Sequence, residues 1–169
     1  FDYVTSVEEA FGDAGYLNQF DAVLLYANHP TISLRQWRNL KDFVESGRGF
    51  IPVHCASWCF ANQPEYEKMV GGRFAHHKAR IFRPRTIEKG HGAIKNVPEF
   101  EAWDETYVHK NHNPEGRTVL QVRRVETGDN ITQPEPWTWV RQQGKGRVFY
   151  TASGHDERVW DKPAFHELL

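Results

Sequence analysis

The residues best suited to chemistry follow an apolar segment directly. Phe50–Val53 predicts a buried strand, and it runs at once into His54 and Cys55, with small residues after them. In an α/β sheet, a sharp turn of this kind lies at the carboxyl end of a strand, where ligands bind, and it lifts one side chain into the crevice. The pattern is typical of a reactive turn, and it is equally typical of a core strand that ends in polar residues.

Other histidines and polar residues follow predicted strands or lie in loops between them. Asn28 and His29 come directly after the apolar run Asp21–Tyr26, so they belong to the same carboxyl edge. His155 follows the last predicted strand, and Glu157 stands just beyond it. The remaining candidates are His76, His77, Asp104 and Glu105. Adjacent acids at a strand start are more often solvated or paired, so at least one of the last two is expected to be structural.

The elements that position these residues are clearest in the first half of the chain. Ser6 precedes a short predicted helix, Val7–Phe11, and Ser33 caps the predicted helix Leu34–Glu45. Strand, helix and strand within about thirty residues predict a right-handed parallel unit and hence a doubly wound sheet. The other signals in this half are a helix, Pro64–Val70, closed by Gly71 and Gly72, and a loop, Arg73–His77.

The second half of the chain is rich in strand patterns, with little helix between them, and its strands are expected to be mixed in direction. Gly144–Gly146 predicts a hairpin turn before the last of them. The predicted strands are Ile81–Ile87, Asp104–Val108, Val119–Val125, Trp137–Val140 and Arg147–Thr151. Pro163–Leu169 predicts a final helix. His109 and His112 lie in a polar segment and are interpreted as surface residues, whereas Trp137 and Trp139 are expected to pack in the core.

Composition limits the classes of function. The 169 residues fit one domain, and 21 Lys and Arg against 22 Asp and Glu give a net charge of -1. Binding to nucleic acid or to an anionic membrane is therefore not expected, and a small, roughly neutral ligand is. Cys55 and Cys59 are too few for a secreted disulfide framework, which favours a reducing, cytoplasmic compartment. The sequence leaves a homo-oligomer open.

Four segments together resemble the ThuA-like, or trehalose utilisation, family. They are Phe50–Ser57, Val70–Phe74, Asp104–Tyr107 and Gly144–Thr151, the last followed by Gly154 and His155. The match spans nearly the whole chain. It implies one domain, 1–169, related in fold to the class I glutamine amidotransferases: a flavodoxin-like three-layer α/β sandwich with a mostly parallel central sheet and a β-rich second half. It also implies that the family's first strand and its histidine-containing loop precede residue 1.

The comparison with the glutamine amidotransferases suggests roles for single residues. Their nucleophile turn has the form GxCxG, and their base lies in a later HxE. The segment Pro52–Ala56 puts His54 at the nucleophile position and Cys55 where a backbone N–H helps to form the oxyanion hole, while His155 and Glu157 match HxE. A glutaminase needs a thiolate for its acyl intermediate, so glutamine hydrolysis is not expected.

The resemblance therefore implies a protein of carbohydrate metabolism, acting on trehalose or a keto-sugar, with His54 and His155 as its acid and base. Two imidazoles with pKa values near neutral can take and donate protons in the enolisation or hydration of a keto-sugar. Glu157 would orient His155. The residues expected to bind the carbohydrate are Asn28, His29, Cys55, His76, His77 and Glu105.

Two other functions stay open at this point. One is a non-catalytic sugar-binding or assembly module that kept the crevice without a nucleophile. The other is a zinc-dependent hydrolase, in which His29, His76 or His77 joins His54 and His155, because three ligands leave a coordination position open for water. The sequence lacks compact zinc motifs such as HExxH, and it identifies no cofactor.

Overall fold

The computed structural model describes residues 1–125, 127–128 and 131–169. Its helices are α1 (Val7–Phe11), α2 (Ala14–Leu17), α3 (Leu34–Glu45), α4 (Pro64–Val70), α5 (Glu157–Trp160) and α6 (Pro163–Leu168), with a short 3-10 helix at His54–Trp58. Its strands are β1 (Ala22–Leu25), β2 (Gly49–Pro52), β3 (Arg73–His76), β4 (Ala79–Phe82), β5 (Arg85–Thr86), β6 (Ala102–Glu105), β7 (Val108–Lys110), β8 (Arg117–Arg123), β9 (Glu135–Gln143) and β10 (Gly146–Thr151). Among these described residues, no helix is long and apolar enough to cross a membrane.

Three helices of the first half, α1, α3 and α4, begin and end where the sequence predicts, whereas α2 was not predicted. Ser6 accepts a hydrogen bond from the N–H of Glu9 at the start of α1, and Ser33 and Gln36 exchange reciprocal bonds at the start of α3. These caps satisfy amide groups that no helical carbonyl can reach. At its other end, α4 stops at Gly71, whose φ of 100° lies in the left-handed region. Local sequence therefore sets the bounds of these helices.

The central sheet is mixed, which corrects the prediction of a mostly parallel sheet. Within the described residues, six strands lie in the order β1-β2-β10-β9-β8-β5. β1, β2 and β10 run parallel, whereas β9 pairs antiparallel with both β10 and β8, and β8 with β5. The physical reason is the short hairpin between β9 and β10, because a tight connection can join only antiparallel strands.

Both faces of the central sheet are covered by apolar side chains. Phe50 of β2 and Trp139 of β9 belong to one core, which also contains residues of α3 and α4. Their neighbours Ile51 and Val140 pack in a second core with residues of α5 and α6. Side chains alternate along a strand, so these two cores lie on opposite faces of the sheet. Trp137 and Trp139 are fully buried, which confirms their prediction as core residues.

Three segments differ from their predicted structure. Arg73–His76 is a strand rather than a loop, and it pairs with β7. The predicted strand Ile81–Ile87 is divided between β4 and β5, and Asp104–Val108 is divided between β6 and β7. β4 pairs with β6, while β5 joins the central sheet. Each break lets one stretch of chain serve two sheets, and Glu105, the last residue of β6, thereby reaches His54.

Candidate functional site

The chain turns sharply where β2 meets the 3-10 helix. His54 has a φ of 49°, in the left-handed region, which costs a residue other than glycine about 1–2 kcal/mol. Val53, just before it, bridges to Thr151 in parallel, so the turn lies at the carboxyl ends of two neighbouring strands. The predicted turn is thus present, and its backbone strain falls on the histidine.

The ring of His54 is held on both sides. Its Nδ1 lies 2.8 Å from the carbonyl oxygen of Ala152, and its face stacks on Tyr107 with ring centroids 4.2 Å apart. A carbonyl oxygen can only accept, so Nδ1 carries the hydrogen. Burial lowers the pKa of His54 to about 4, and the ring is therefore neutral at neutral pH. The lone pair of a neutral ring then sits on Nε2, which lies 3.3 Å from Oε2 of Glu105.

Glu105 stands at the centre of three imidazoles. Its Oε1 lies 3.3 Å from Nδ1 of His155 and 3.4 Å from Nε2 of His77, and its Oε2 faces His54. The carboxylate side chain is 15% exposed, whereas the side chains of His77 and His155 are more than a third exposed. The cluster therefore has a buried inner side at His54 and an open side at the other two histidines.

Three side chains of this cluster are spaced so that they could hold a metal ion. One possible ligand atom from each of His54, Glu105 and His155 lies within 4.8 Å of the others. Imidazole nitrogen and carboxylate oxygen are donors that zinc and neighbouring first-row metals accept. A protein that supplies three ligands leaves a position for water or substrate.

Asp104 holds the loop that carries His155. Its carboxylate oxygens accept hydrogen bonds from the backbone N–H groups of Gly154 (3.1 Å), His155 (3.2 Å) and Glu105 (2.8 Å). Burial raises the pKa of Asp104 to about 7, although these three N–H groups act in the opposite direction. The structure thus separates two adjacent acids: Asp104 is structural, as expected of one of them, and Glu105 points into the site.

The structure brings together only part of the predicted set. His54, His155, His77 and Glu105 converge, and Glu105 takes the place beside His155 that the sequence gives to Glu157. Glu157 is exposed in the first turn of α5. His29 is exposed, with Nδ1 2.9 Å from the carbonyl oxygen of Thr31. Three further candidates lie outside the cluster: exposed Asn28, exposed His76 and half-buried Cys55.

The thiols beside the turn are poor nucleophiles. Burial raises the pKa of Cys55 to about 12 and that of Cys59 to about 11. The Cys59 thiol also donates to the carbonyl oxygen of Ala27 at 3.0 Å. Both groups therefore stay protonated at neutral pH.

We expect both thiols of the native protein to react slowly with a disulfide reagent such as Ellman's reagent at pH 8. The thiolate is the reacting form, and a pKa above 10 leaves only a small fraction of it. The measurement is the absorbance change with time, compared with the same protein in denaturant, where both thiols should react quickly. Fast reaction of either thiol in the native protein would contradict the assignment.

His109 corrects a second prediction, since it is buried rather than on the surface. It lies on β7 with 5% exposure, and its Nδ1 is 3.0 Å from Oε1 of Glu135. The chain turns away only at Asn111, whose φ is 52°. Its partners Glu135 and Tyr150 were not among the candidate residues. No signal in the sequence identifies His109 as buried, because alternation along Val108–Lys110 would place the apolar Val108 inward.

A mixed sheet that is covered on both faces, with a strained turn and a cluster of polar side chains at its carboxyl edge, defines an α/β protein. The chain belongs to the ThuA family, described as trehalose utilisation, whose model matches residues 1–169. The resemblance seen in the sequence is thereby confirmed. A search of curated proteins found no match.

Solved structures of similar fold include two putative ThuA-like proteins. The one from Bacteroides uniformis has a TM-score of 0.80 at 18% identity, covering 98% of this chain and 71% of that chain. The one from Parabacteroides merdae has a TM-score of 0.77 at 18% identity, covering 92% of this chain and 70% of that one. A protein from Salmonella typhimurium described as cytoplasmic has a TM-score of 0.67 at 11% identity, covering 96% and 74%. At these identities the likeness establishes the fold.

Proposed function

We propose that this ThuA-family protein is an enzyme that acts on a carbohydrate with the help of a divalent transition metal, held by His54, Glu105 and His155. The single observation that carries the proposal is the orientation of the His54 ring. Its Nδ1–H donates a hydrogen bond to the carbonyl oxygen of Ala152, so Nε2 presents a lone pair to the carboxylate of Glu105.

Two electron-rich groups in a site closed on that side repel each other unless something positive lies between them. A proton could also lie between these two groups, but His54 or Glu105 would have to bind it. If His54 bound it, the charged imidazole would be buried at a desolvation cost. A divalent cation satisfies Nε2 and the carboxylate together, and His155 adds a third donor. A ligand histidine that donates its other ring N–H to a backbone carbonyl is the usual arrangement in metal sites, because that bond fixes the tautomer and the ring direction.

The roles of the remaining residues follow from their exposure. A metal in this position would polarise a sugar carbonyl or lower the pKa of a bound water. His77, beside Glu105 and more than a third exposed, is placed to exchange a proton with a substrate in the crevice. Asn28, His29, Cys55 and His76 are proposed to bind the substrate farther from the cluster.

The carbohydrate substrate is proposed from the family description, trehalose utilisation. Keto-sugars are one class to test first, because a carbonyl gives a metal or an acid a group to polarise. Trehalose, which has no carbonyl, is tested beside them because the family description names it. The structurally similar protein from Salmonella typhimurium is described as cytoplasmic, which supports a cytoplasmic location for this protein. A small-molecule ligand, rather than nucleic acid or membrane, fits the net charge of -1.

A metal-free mechanism is the second candidate. It is favoured by the contrast between the two histidines: His54 is buried and neutral, whereas the side chain of His155 is 36% exposed. A neutral His54 would accept a proton, and His155 would donate one to substrate. Glu105, which faces both rings, would then stabilise whichever imidazole is charged.

Elemental analysis of the purified protein tests the proposal directly. After equilibration with zinc or cobalt and removal of the excess, we expect about one metal ion per chain in the wild type, since three protein ligands form one site. His54→Ala should lose the metal, and His76→Ala, which removes an exposed histidine outside the cluster, should retain it.

Each other result points to a different function. A metal-free protein that converts keto-sugars or disaccharides would exclude the metal mechanism and favour the two-histidine one. Saturable sugar binding without turnover, with or without metal, would identify a non-catalytic sugar-binding module instead.

A further inference from the structure

A second polar chain lies beneath the turn, on the core side. The carboxylate of Glu135 accepts from the backbone N–H of His109 at 2.9 Å and lies 3.0 Å from Nδ1 of the same residue. Nε2 of His109 lies 2.9 Å from the hydroxyl of Tyr150. That hydroxyl is 3.1 Å from the carbonyl oxygen of His54 and 3.0 Å from Oγ of Ser57. The chain thus runs from a carboxylate through an imidazole and a phenol to the strained residue.

This chain is closed to substrate. Tyr150 is fully buried, and His109, Glu135 and Ser57 are each less than a tenth exposed. Tyr150 is also packed against Trp139, with ring centroids 4.3 Å apart. Polar groups in such a place cost free energy unless every one is hydrogen-bonded. Because a ligand cannot reach these buried polar groups, their role lies in contacts within the protein.

The direction of the hydrogen bonds follows from the carboxylate. Hydrogen bonds to His109 and His112 lower the pKa of Glu135 to about 2, so it is ionised, and it takes the Nδ1–H of His109. Nε2 of a neutral His109 can then only accept, and Tyr150 is the donor beside it. The Ser57 hydroxyl lies 3.1 Å from the carbonyl oxygen of His54 and 3.0 Å from the Tyr150 oxygen, and its one hydrogen is shared between these two acceptors. Tyr150 is thus linked to His54 through Ser57.

We propose that Glu135, His109 and Tyr150 are positioning residues that hold His54 in its strained conformation and so set the direction of its ring. β10 then holds His54 at two points, through Tyr150 and the Ser57 hydroxyl at its backbone carbonyl and through the carbonyl of Ala152, just past the strand, at its ring. This inference rests on the proposed function in one respect, because it assumes that His54 takes part in the function of the site.

The test is Tyr150→Phe, which removes one oxygen and keeps the ring that packs on Trp139. The first readout is the long-range ¹H–¹⁵N NMR spectrum of the His54 imidazole in metal-free protein. The wild type should show the single tautomer with hydrogen on Nδ1, and the variant should show exchange between tautomers. The second readout is cobalt binding followed by visible absorbance, for which we expect a loss of affinity of at least ~10-fold and a changed spectrum, as for other partners of metal ligands.

The matched control is Thr138→Val, which removes a fully buried hydroxyl from the neighbouring strand β9. It should lower thermal stability while leaving the His54 signals and the cobalt spectrum unchanged. Glu135→Gln, which keeps the shape and an acceptor oxygen but removes the charge, should shift the His54 signals in the same direction as Tyr150→Phe and serves if that variant does not fold.

The two proposals fail separately. If the wild type binds no cobalt, the metal proposal is lost, and the NMR comparison still decides whether Tyr150 positions His54. If Tyr150→Phe leaves the His54 tautomer and ring signals as in the wild type, the positioning role is overturned whatever the metal content. Equal changes in Thr138→Val would also overturn it, since they would reflect general destabilisation.

Discussion

Glu105→Gln is expected to lower the affinity of the protein for zinc or cobalt by more than about 100-fold, since even the outer partners of metal ligands are worth ~10–100-fold. The amide keeps the size of the side chain but loses the charge that faces three imidazoles. Isothermal titration with zinc, or cobalt absorbance, measures the change. Turnover of any substrate found for the wild type should fall with it.

Glu157→Gln is the matched control, because the sequence pattern points to Glu157 as the carboxylate partner of His155. Glu157 is exposed on α5, so its variant should bind metal like the wild type. Retention of tight binding by Glu105→Gln would refute the metal assignment. Loss of binding in Glu157→Gln would show that the sequence-based partner, and not Glu105, governs the site.

The second large effect is expected for Asp104→Ala, on the free energy of unfolding. Removal of the carboxylate leaves three backbone N–H groups without their acceptor, at Gly154, His155 and Glu105. At about 1 kcal/mol or more for each unpaired buried group, the loss amounts to roughly 3 kcal/mol. Urea unfolding at neutral pH measures it. Metal affinity should fall as well, because two of the three N–H groups belong to proposed ligand residues.

Asp104→Asn separates the two effects of this substitution. The amide keeps one acceptor oxygen, so the variant should lie between the wild type and Asp104→Ala in stability. The interpretation is wrong if Asp104→Ala unfolds at the same urea concentration as the wild type, or if Asp104→Asn is the less stable of the two.

The first half of the fold was predictable because its signals are local. Ser33 begins α3 and Gly71 ends α4 through contacts within a few residues of each position. The continuous apolar run at β1 likewise needs no distant partner to be recognised. His54 was identified in the same way, by the abrupt change from apolar to polar residues after β2.

The structure of the second half depends on contacts between segments that are distant in the chain. The spacing of apolar residues along the sequence does not reveal such contacts. The segment 104–108 contains no glycine or proline that would mark a break, so the sequence gives no sign that Thr106 leaves the strand. The hairpin turn at 144–146 predicts that two neighbouring strands run antiparallel, but no local signal shows that these strands join the same sheet as β1 and β2, so the mixed central sheet was predicted only in part. Glu105 was recognised as a candidate, but its position between His54 and His155 depends on how β6 docks.

The mixed sheet has a consequence for the order in which the protein folds. β10 lies between β2 and β9, and its pairing of Val148 with Phe50 joins segments from opposite ends of the chain. Closing so long a loop is slow, because its entropy is lost before the contact forms. The carbonyl of Ala152 and the ring of His155 reach His54 only after that closure. The site is therefore assembled only after β10 has been inserted between β2 and β9.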